Sequence, residues 1–185
     1  MSLTAYLLTA IASLPTYRED IGPEFAEQKL QQSQMVAEAI NEAVDGAENW
    51  SGTRRELATL MLTVAWHETR LSLRIHDGRC KPLECDRGRA RGLWQLQVQR
   101  SLPREQWLKV AGFEPEPTRI AAREAVKMLV RSRRMCSVVT RGRDWVAPTL
   151  TAYAGCGCGG KLPDLNARVR TFRMLLNVTP EKGTT

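Results

Sequence analysis

The sequence lacks what would carry it across a membrane. No stretch of its 185 residues approaches the roughly 18–20 consecutive apolar residues that span a bilayer. Apolar residues are still 43% of the whole, ample for a packed core. The apolar opening around Leu7, Leu8 and Ile11 has no Lys or Arg ahead of it and is broken by Thr4 and Thr9. A secretory signal begins with positive charge, so this segment is expected to be a short helix ending near Pro15. Alternating apolar residues are missing, which excludes a substantial sheet, and neither an internal repeat nor a low-complexity tract is present. Acidic charge is in the minority: 20 Asp and Glu against 27 Lys and Arg, a net +7. A basic surface suits nucleic acid, anionic lipid or an acidic wall polymer equally. Aromatic residues are only 6% and do not interleave with the arginines, even beside Arg131-Ser132-Arg133-Arg134. No nucleic-acid-binding motif appears, so nucleic acid is not the expected partner.

What is present is helical periodicity, over a length that suits one globular domain with a small appendage. Ala26, Leu30, Val36, Ala37, Ile40 and Val44 recur at helical spacing, and Asp45-Gly46 stops that helix. Thr53 with Glu56 forms a capping box, in which each side chain satisfies a free amide of the first turn. Behind it Leu57, Leu60, Met61, Val64 and Leu71 make one apolar stripe. Residues 74–91 are polar and rich in Gly, Pro and Arg, hence a loop. A short helix is expected over 102–111, then extended chain at Glu114-Pro115-Glu116-Pro117, because proline disfavours helix in the residue before it. Thr118 is expected to cap a helix running to about Met135, another helix precedes Ala154, and Asp164 caps the last one. The tail after Pro180 reads as loose. The fold class is therefore mainly α, with a long polar loop and little or no sheet.

Five cysteines, Cys80, Cys85, Cys136, Cys156 and Cys158, leave at least one unpaired in a monomer. One or two disulfides, free buried thiols, or a zinc site of Cys80, Cys85, Cys156 and Cys158 with His67 or His76 as substitutes all remain open. The zinc spacing departs from the usual Cys-x2-Cys pairs, and neither metal nor cofactor is expected.

Glu68 lies on the apolar stripe, four residues after Val64 and three before Leu71. A carboxylate there is costly without a use or a partner. One partner would be Arg70 or Arg91. One use would be proton donation, because burial favours the neutral acid and a glycosidic oxygen must receive a proton to leave. His67-Glu68-Thr69-Arg70-Leu71, then Gly92-Leu93-Trp94-Gln95-Leu96, then Ala152-Tyr153-Ala154-Gly155 occur in that order. Together they resemble the lytic transglycosylase group of the lysozyme-like superfamily, over roughly residues 53–176. There a helix ends in a catalytic Glu followed by Ser, a Gly-Leu-Met-Gln-like motif lines the sugar cleft, and an Ala-Tyr-Asn-Ala-Gly-like motif follows. Here Thr69 stands for Ser, Trp94 for Met, and the Asn after Tyr153 is absent. The step from Glu68 to Gly92 is longer than usual and holds Cys80 and Cys85.

The resemblance implies a lysozyme-like catalytic domain over 47–179, a helical extension over 1–46 and a flexible tail over 180–185. It implies cleavage of peptidoglycan between its two amino sugars, with Glu68 protonating the glycosidic oxygen and then drawing a proton from the sugar's C6 hydroxyl to close a 1,6-anhydro ring. Gln95 would hydrogen-bond substrate and Tyr153 would place its hydroxyl near Glu68. Gly92, Leu93, Trp94 and Thr69 would complete the subsite, with Trp94 a possible stacking surface for a sugar ring. Hydrolysis, as in goose-type lysozymes, would need a second carboxylate from the loop: Asp77, Glu84 or Asp86. Cys80 and Cys85 bracket that loop, and a bridge between them is expected to steady the cleft. Such an enzyme works in the periplasm or cell wall, exported without an evident signal or carried in a phage virion beside other envelope-penetrating proteins. The readings from other classes are a basic nucleic-acid-binding domain and an inactive wall-binding structural protein.

Overall fold

The computed structural model describes residues 2–98, 102–140 and 144–179. The flexible tail expected over 180–185 lies outside them. The molecule is mainly helical, in the order α1 (Leu3–Ala12), α2 (Ala26–Asp45), α3 (Arg54–Thr69), α4 (Leu73–His76), α5 (Cys85–Gly88), β1 (Ala90–Arg91), β2 (Leu96–Gln97), α6 (Arg104–Trp107), α7 (Pro115–Thr140), α8 (Val146–Tyr153) and α9 (Leu165–Leu176). Two 3-10 turns, Arg18–Asp20 and Pro23–Phe25, lead from α1 into α2. No helix among the described residues is long and apolar enough to cross a membrane.

The architecture follows from α3. Every residue from Leu57 to Trp66 is buried, so the helix is covered on all sides, as an all-round apolar helix must be. Helices α1, α2, α7 and α9 pack around it. Its three buried threonines are satisfied within the helix: Thr59 donates to the Arg55 carbonyl at 2.6 Å, Thr63 to the Thr59 carbonyl at 2.8 Å and Thr69 to the Ala65 carbonyl at 2.9 Å. The capping box starts it, with Thr53 accepting from the Glu56 amide and Glu56 accepting from the Thr53 amide. Arg70 and Leu71, at φ 55° and 52°, stop it in left-handed backbone one residue past Thr69. Glu68 is thereby left on the last turn of a rigid, buried rod.

Residues 1–46 share this core: Tyr6, Leu7, Ala10, Val36 and Ile40 belong to the same buried cluster as Leu57, Leu60 and Met61. The Tyr6 hydroxyl donates to the Leu175 carbonyl of α9 at 2.9 Å, tying the two ends of the chain together. Three local expectations are corrected. The stretch expected to be extended at 114–117 begins α7, since the missing amides of Pro115 and Pro117 fall in the first turn, where no helical partner exists anyway. That helix runs to Thr140, past Met135. Asp164 makes no side-chain cap for α9, because its carboxylate is engaged by Arg168 and His67. The 73–91 loop holds two single turns, α4 and α5, and β1 pairs antiparallel with β2 through Ala90–Gln97 and Arg91–Leu96. The turn between them carries Gly92 through Gln95.

Candidate active site

A cleft of about 240 Å³ opens beside the end of α3. Glu68, Asp86, Gln95, Tyr153 and Arg168 line it, with Met128 and Leu162 as apolar walls. Four of the residues singled out around Glu68 therefore come together: Asp86, Trp94, Gln95 and Tyr153. A larger groove of about 580 Å³ between α2 and α7 gathers Arg123, Lys127, Arg131 and Arg134, but none of them.

Glu68 is 22% exposed, and its Oε1 accepts from Arg168 Nη1 at 2.6 Å. Neither Arg70 nor Arg91 is its partner. Arg70 lies over the Trp66 ring and Arg91 near the Trp107 ring. Arg168, on α9, is itself only 7% exposed, and its Nε donates to both oxygens of Asp164 at 2.9 Å. Asp164 Oδ2 also meets His67 Nδ1 at 3.3 Å, and His67 Nε2 meets the Thr171 hydroxyl at 2.9 Å. The chain of contacts is thus Glu68, Arg168, Asp164, His67, Thr171, joining α3 to one face of α9. Burial works against the charge on Arg168, but Glu68 and Asp164 outweigh it and hold the guanidinium above its usual range. Burial would raise the Asp164 carboxyl, but Arg168 and then His67 carry it below the ordinary value. Burial lowers His67, and the charges of Arg168 and Arg70 lower it further.

Tyr153 is buried, and its hydroxyl donates to the Trp94 carbonyl at 2.8 Å. Burial, and after it the negative charge of Glu68, pushes the phenol well above its ordinary range, so it stays a donor. Gln95 takes left-handed backbone at φ 47° and donates from Nε2 to the Gly92 carbonyl at 3.0 Å and to Cys85 Sγ at 3.3 Å.

The other residues assigned to substrate are all buried. Trp94 is 1% exposed, and its indole nitrogen donates into the core, to the Met61 carbonyl at 3.1 Å. Its ring offers no face for a sugar to stack on. Leu93 is buried at 1%. Thr69 returns its hydroxyl to the Ala65 carbonyl at 2.9 Å. Gly92 has φ 70°, and a Cβ there would lie 2.3 Å from the Val110 carbonyl oxygen. Gly92, Leu93 and Trp94 form the turn that presents Gln95 and the Trp94 carbonyl, Thr69 backs it from the end of α3 through the Leu93 carbonyl at 3.4 Å, and of the four Trp94 alone lines the cleft. Of the loop carboxylates, Asp77 pairs with Arg79 at 2.8 Å and Glu84 with Arg74 at 2.7 Å, both away from the cleft. Asp86 alone lines it, paired with Arg89 at 2.9 Å and accepting from Gln97 Nε2 at 3.3 Å.

Cys80 and Cys85 are bridged, as are Cys136 and Cys158, while Cys156 is free and exposed. Four of the five sulfurs are therefore spent, which removes the tetrathiolate zinc arrangement. Among the described residues no group of three or more His, Cys, Asp or Glu could hold a metal. Sequence reasoning missed Arg168 and the second bridge. The four-residue step from Asp164 to Arg168 signals a helical ion pair, but nothing local ties either residue to Glu68. Comparison with protein-family models, curated proteins and solved structures found no match.

Proposed function

We propose that the chain is a peptidoglycan-cleaving glycosidase with Glu68 as its catalytic acid. The observation that carries this reading is the placement of Glu68: one carboxylate, on the last turn of a rigid buried helix, at the edge of a cleft furnished with a phenol, an amide and a second carboxylate. Glycosidic cleavage needs a carboxyl group in hydrogen-bond reach of the leaving oxygen. Oε1 is held by Arg168, and Oε2 takes no hydrogen bond from the described residues, which leaves it for substrate. Gln95 serves the sugar's polar groups, and Tyr153 fixes the wall behind Glu68. The motif order of the lytic transglycosylases, Glu68 then Gly92 to Gln95 then Tyr153, supports the same reading, with the glycan's own C6 hydroxyl as nucleophile and a 1,6-anhydro end as product. Two disulfides suit an oxidising space such as the periplasm or the wall.

Asp86 favours a second reading. It stands in the same cleft, where a base for an attacking water would be needed in a hydrolase. Its pairing with Arg89 and Gln97 ranks this behind the transglycosylase.

The test is Glu68→Gln on purified sacculi, with mass spectrometry of the released muropeptides. Lysis is lost. Arg168 keeps Asp164, so the variant stays folded at a cost of about 2 kcal/mol for one charge-assisted hydrogen bond. Clearance of sacculi by the folded variant at the wild-type rate refutes the reading.

A further inference from the structure

We propose that Arg168 is the positioning residue of Glu68 and that Asp164 fixes it from behind; this rests on the glycan-cleaving reading of the cleft. Among the described residues Arg168 is the one Lys or Arg that is buried. Its burial is expensive, and Asp164 by itself could satisfy it as a helical pair. What needs explanation is the second contact, from Nη1 to a carboxylate on another helix at the cleft edge.

The guanidinium plane supplies the explanation. Both Asp164 oxygens sit 2.9 Å from Nε, which sets the orientation of the fork. Nη1 then points in one direction only, and Glu68 Oε1 lies on it at 2.6 Å. Anchoring one oxygen fixes the carboxyl plane and so the direction of Oε2. Asp164 is in turn held by His67, the neighbour of Glu68 on α3, so the clamp is anchored on the same helix turn that it orients. When Glu68 gives up its proton, the new carboxylate forms against a cation already in place, with no reorganisation. A lysine would keep the charge but cannot hold Asp164 and Glu68 from one rigid plane.

The ionisable groups around this clamp are His67 and Arg70 from the end of α3, Asp164 from α9, Tyr153 from α8 and Asp86 from α5. Among the described residues Arg168 is the cation bonded to Glu68, and Asp164 holds that cation from behind, so loss of either one frees the Glu68 carboxyl plane.

The experiment measures initial rates on soluble glycan fragments across pH for the wild type, Glu68→Gln, Arg168→Gln, Arg168→Lys and Asp164→Asn, with a melting curve for each. Arg168→Gln is expected to lower kcat on the order of 100-fold with KM changed by less than about threefold, since a displaced catalytic group costs turnover more than binding. Arg168→Lys keeps the charge and leaves KM near the wild-type value, while kcat stays low. Asp164→Asn is expected to lower kcat in the same way with KM little changed, and it carries the test by itself if Arg168→Gln melts below the assay temperature. A dead Glu68→Gln beside an Arg168→Gln or Asp164→Asn variant with wild-type kcat overturns the positioning role alone. An active Glu68→Gln overturns the reading of the cleft, and the positioning role with it.

Discussion

The Cys136–Cys158 bridge ties the last turns of α7 to the loop between α8 and α9. That loop runs from Ala154 to Asp164, and its Ala154 and Leu162 line the cleft. Its Gly-Cys-Gly-Cys-Gly-Gly sequence has little stiffness of its own, so the bridge is what holds that wall. The two cysteines are 22 residues apart, and closing a loop of that size removes roughly 3 kcal/mol of unfolded-chain entropy. Cys80–Cys85, with a separation of 5, is worth about 2 kcal/mol on the same reckoning. The perturbation is Cys136→Ala with Cys158→Ala, made with Cys156→Ser in both the variant and its reference. Cys156 is an exposed thiol two residues from Cys158 and would otherwise exchange into the bridge. Urea unfolding should show a loss of roughly 3 kcal/mol, and melting should fall by roughly 6–12 °C for a chain of this size. Lysis of sacculi should weaken at temperatures where the variant is still folded, because Leu162 and Ala154 are no longer pinned. A loss below about 1 kcal/mol would mean that the unfolded chain gains little freedom from opening this loop, and would refute the reasoning.

Three further outcomes are expected. Gly92→Ala should destabilise the fold by about 3 kcal/mol in thermal or urea unfolding, since left-handed backbone costs a side chain about 1–2 kcal/mol and the Val110 carbonyl must move besides. His76 is buried between Gln32 and Thr118, and burial lowers its pKa from 6.5 to about 4. The unfolded chain therefore binds the extra proton first, so stability is full above pH 6.5 and declines as pH falls toward 4, by up to about 3 kcal/mol; His76→Asn should flatten that slope in pH-dependent unfolding. Asp86→Asn should leave the 1,6-anhydro product and most of the activity in place, read by mass spectrometry of muropeptides, whereas abolished activity with borohydride-reducible products in the wild type would make the enzyme a hydrolase.

The helices were legible where local rules act alone. Thr53 and Glu56 mark the start of α3 because a capping box is complete within four residues. Asp45-Gly46 ends α2 because glycine is a poor residue with which to continue a helix. Local rules fail where two readings of one residue compete. Pro115 and Pro117 either break a chain or open a helix, and only the packing of α7 against α2 decides for the helix. Asp164 has the chemistry of a cap, but a buried guanidinium four residues on competes for its carboxylate and wins, since a charged donor makes the stronger bond. The bridge from Cys136 to Cys158 joins a helix to a loop across 22 residues, a distance at which pairing is a matter of tertiary approach.

The candidate site divides the same way. Glu68 stood out because a carboxylate on an apolar stripe demands a reason, and the demand is local. Its partner could not be named, because Arg168 lies 100 residues away and reaches it only through the docking of α9 on α3. Arg70 and Arg91 were near in sequence, yet the helix ends at Arg70 in left-handed backbone and turns that side chain back over Trp66. Trp94 was misdirected for a related reason. Gly92, at φ 70°, and Gln95, at φ 47°, bound a tight turn, and a turn that brings Gln95 to the cleft sends the indole inward to the Met61 carbonyl. Beside its ionisable groups the cleft is walled by the amide of Gln95, by Met128 from the middle of α7 and by Leu162 before α9. Two of those three come from outside any recognisable motif, and a cleft assembled in this way keeps its acid in the sequence pattern while its walls are supplied by whichever helices cover α3.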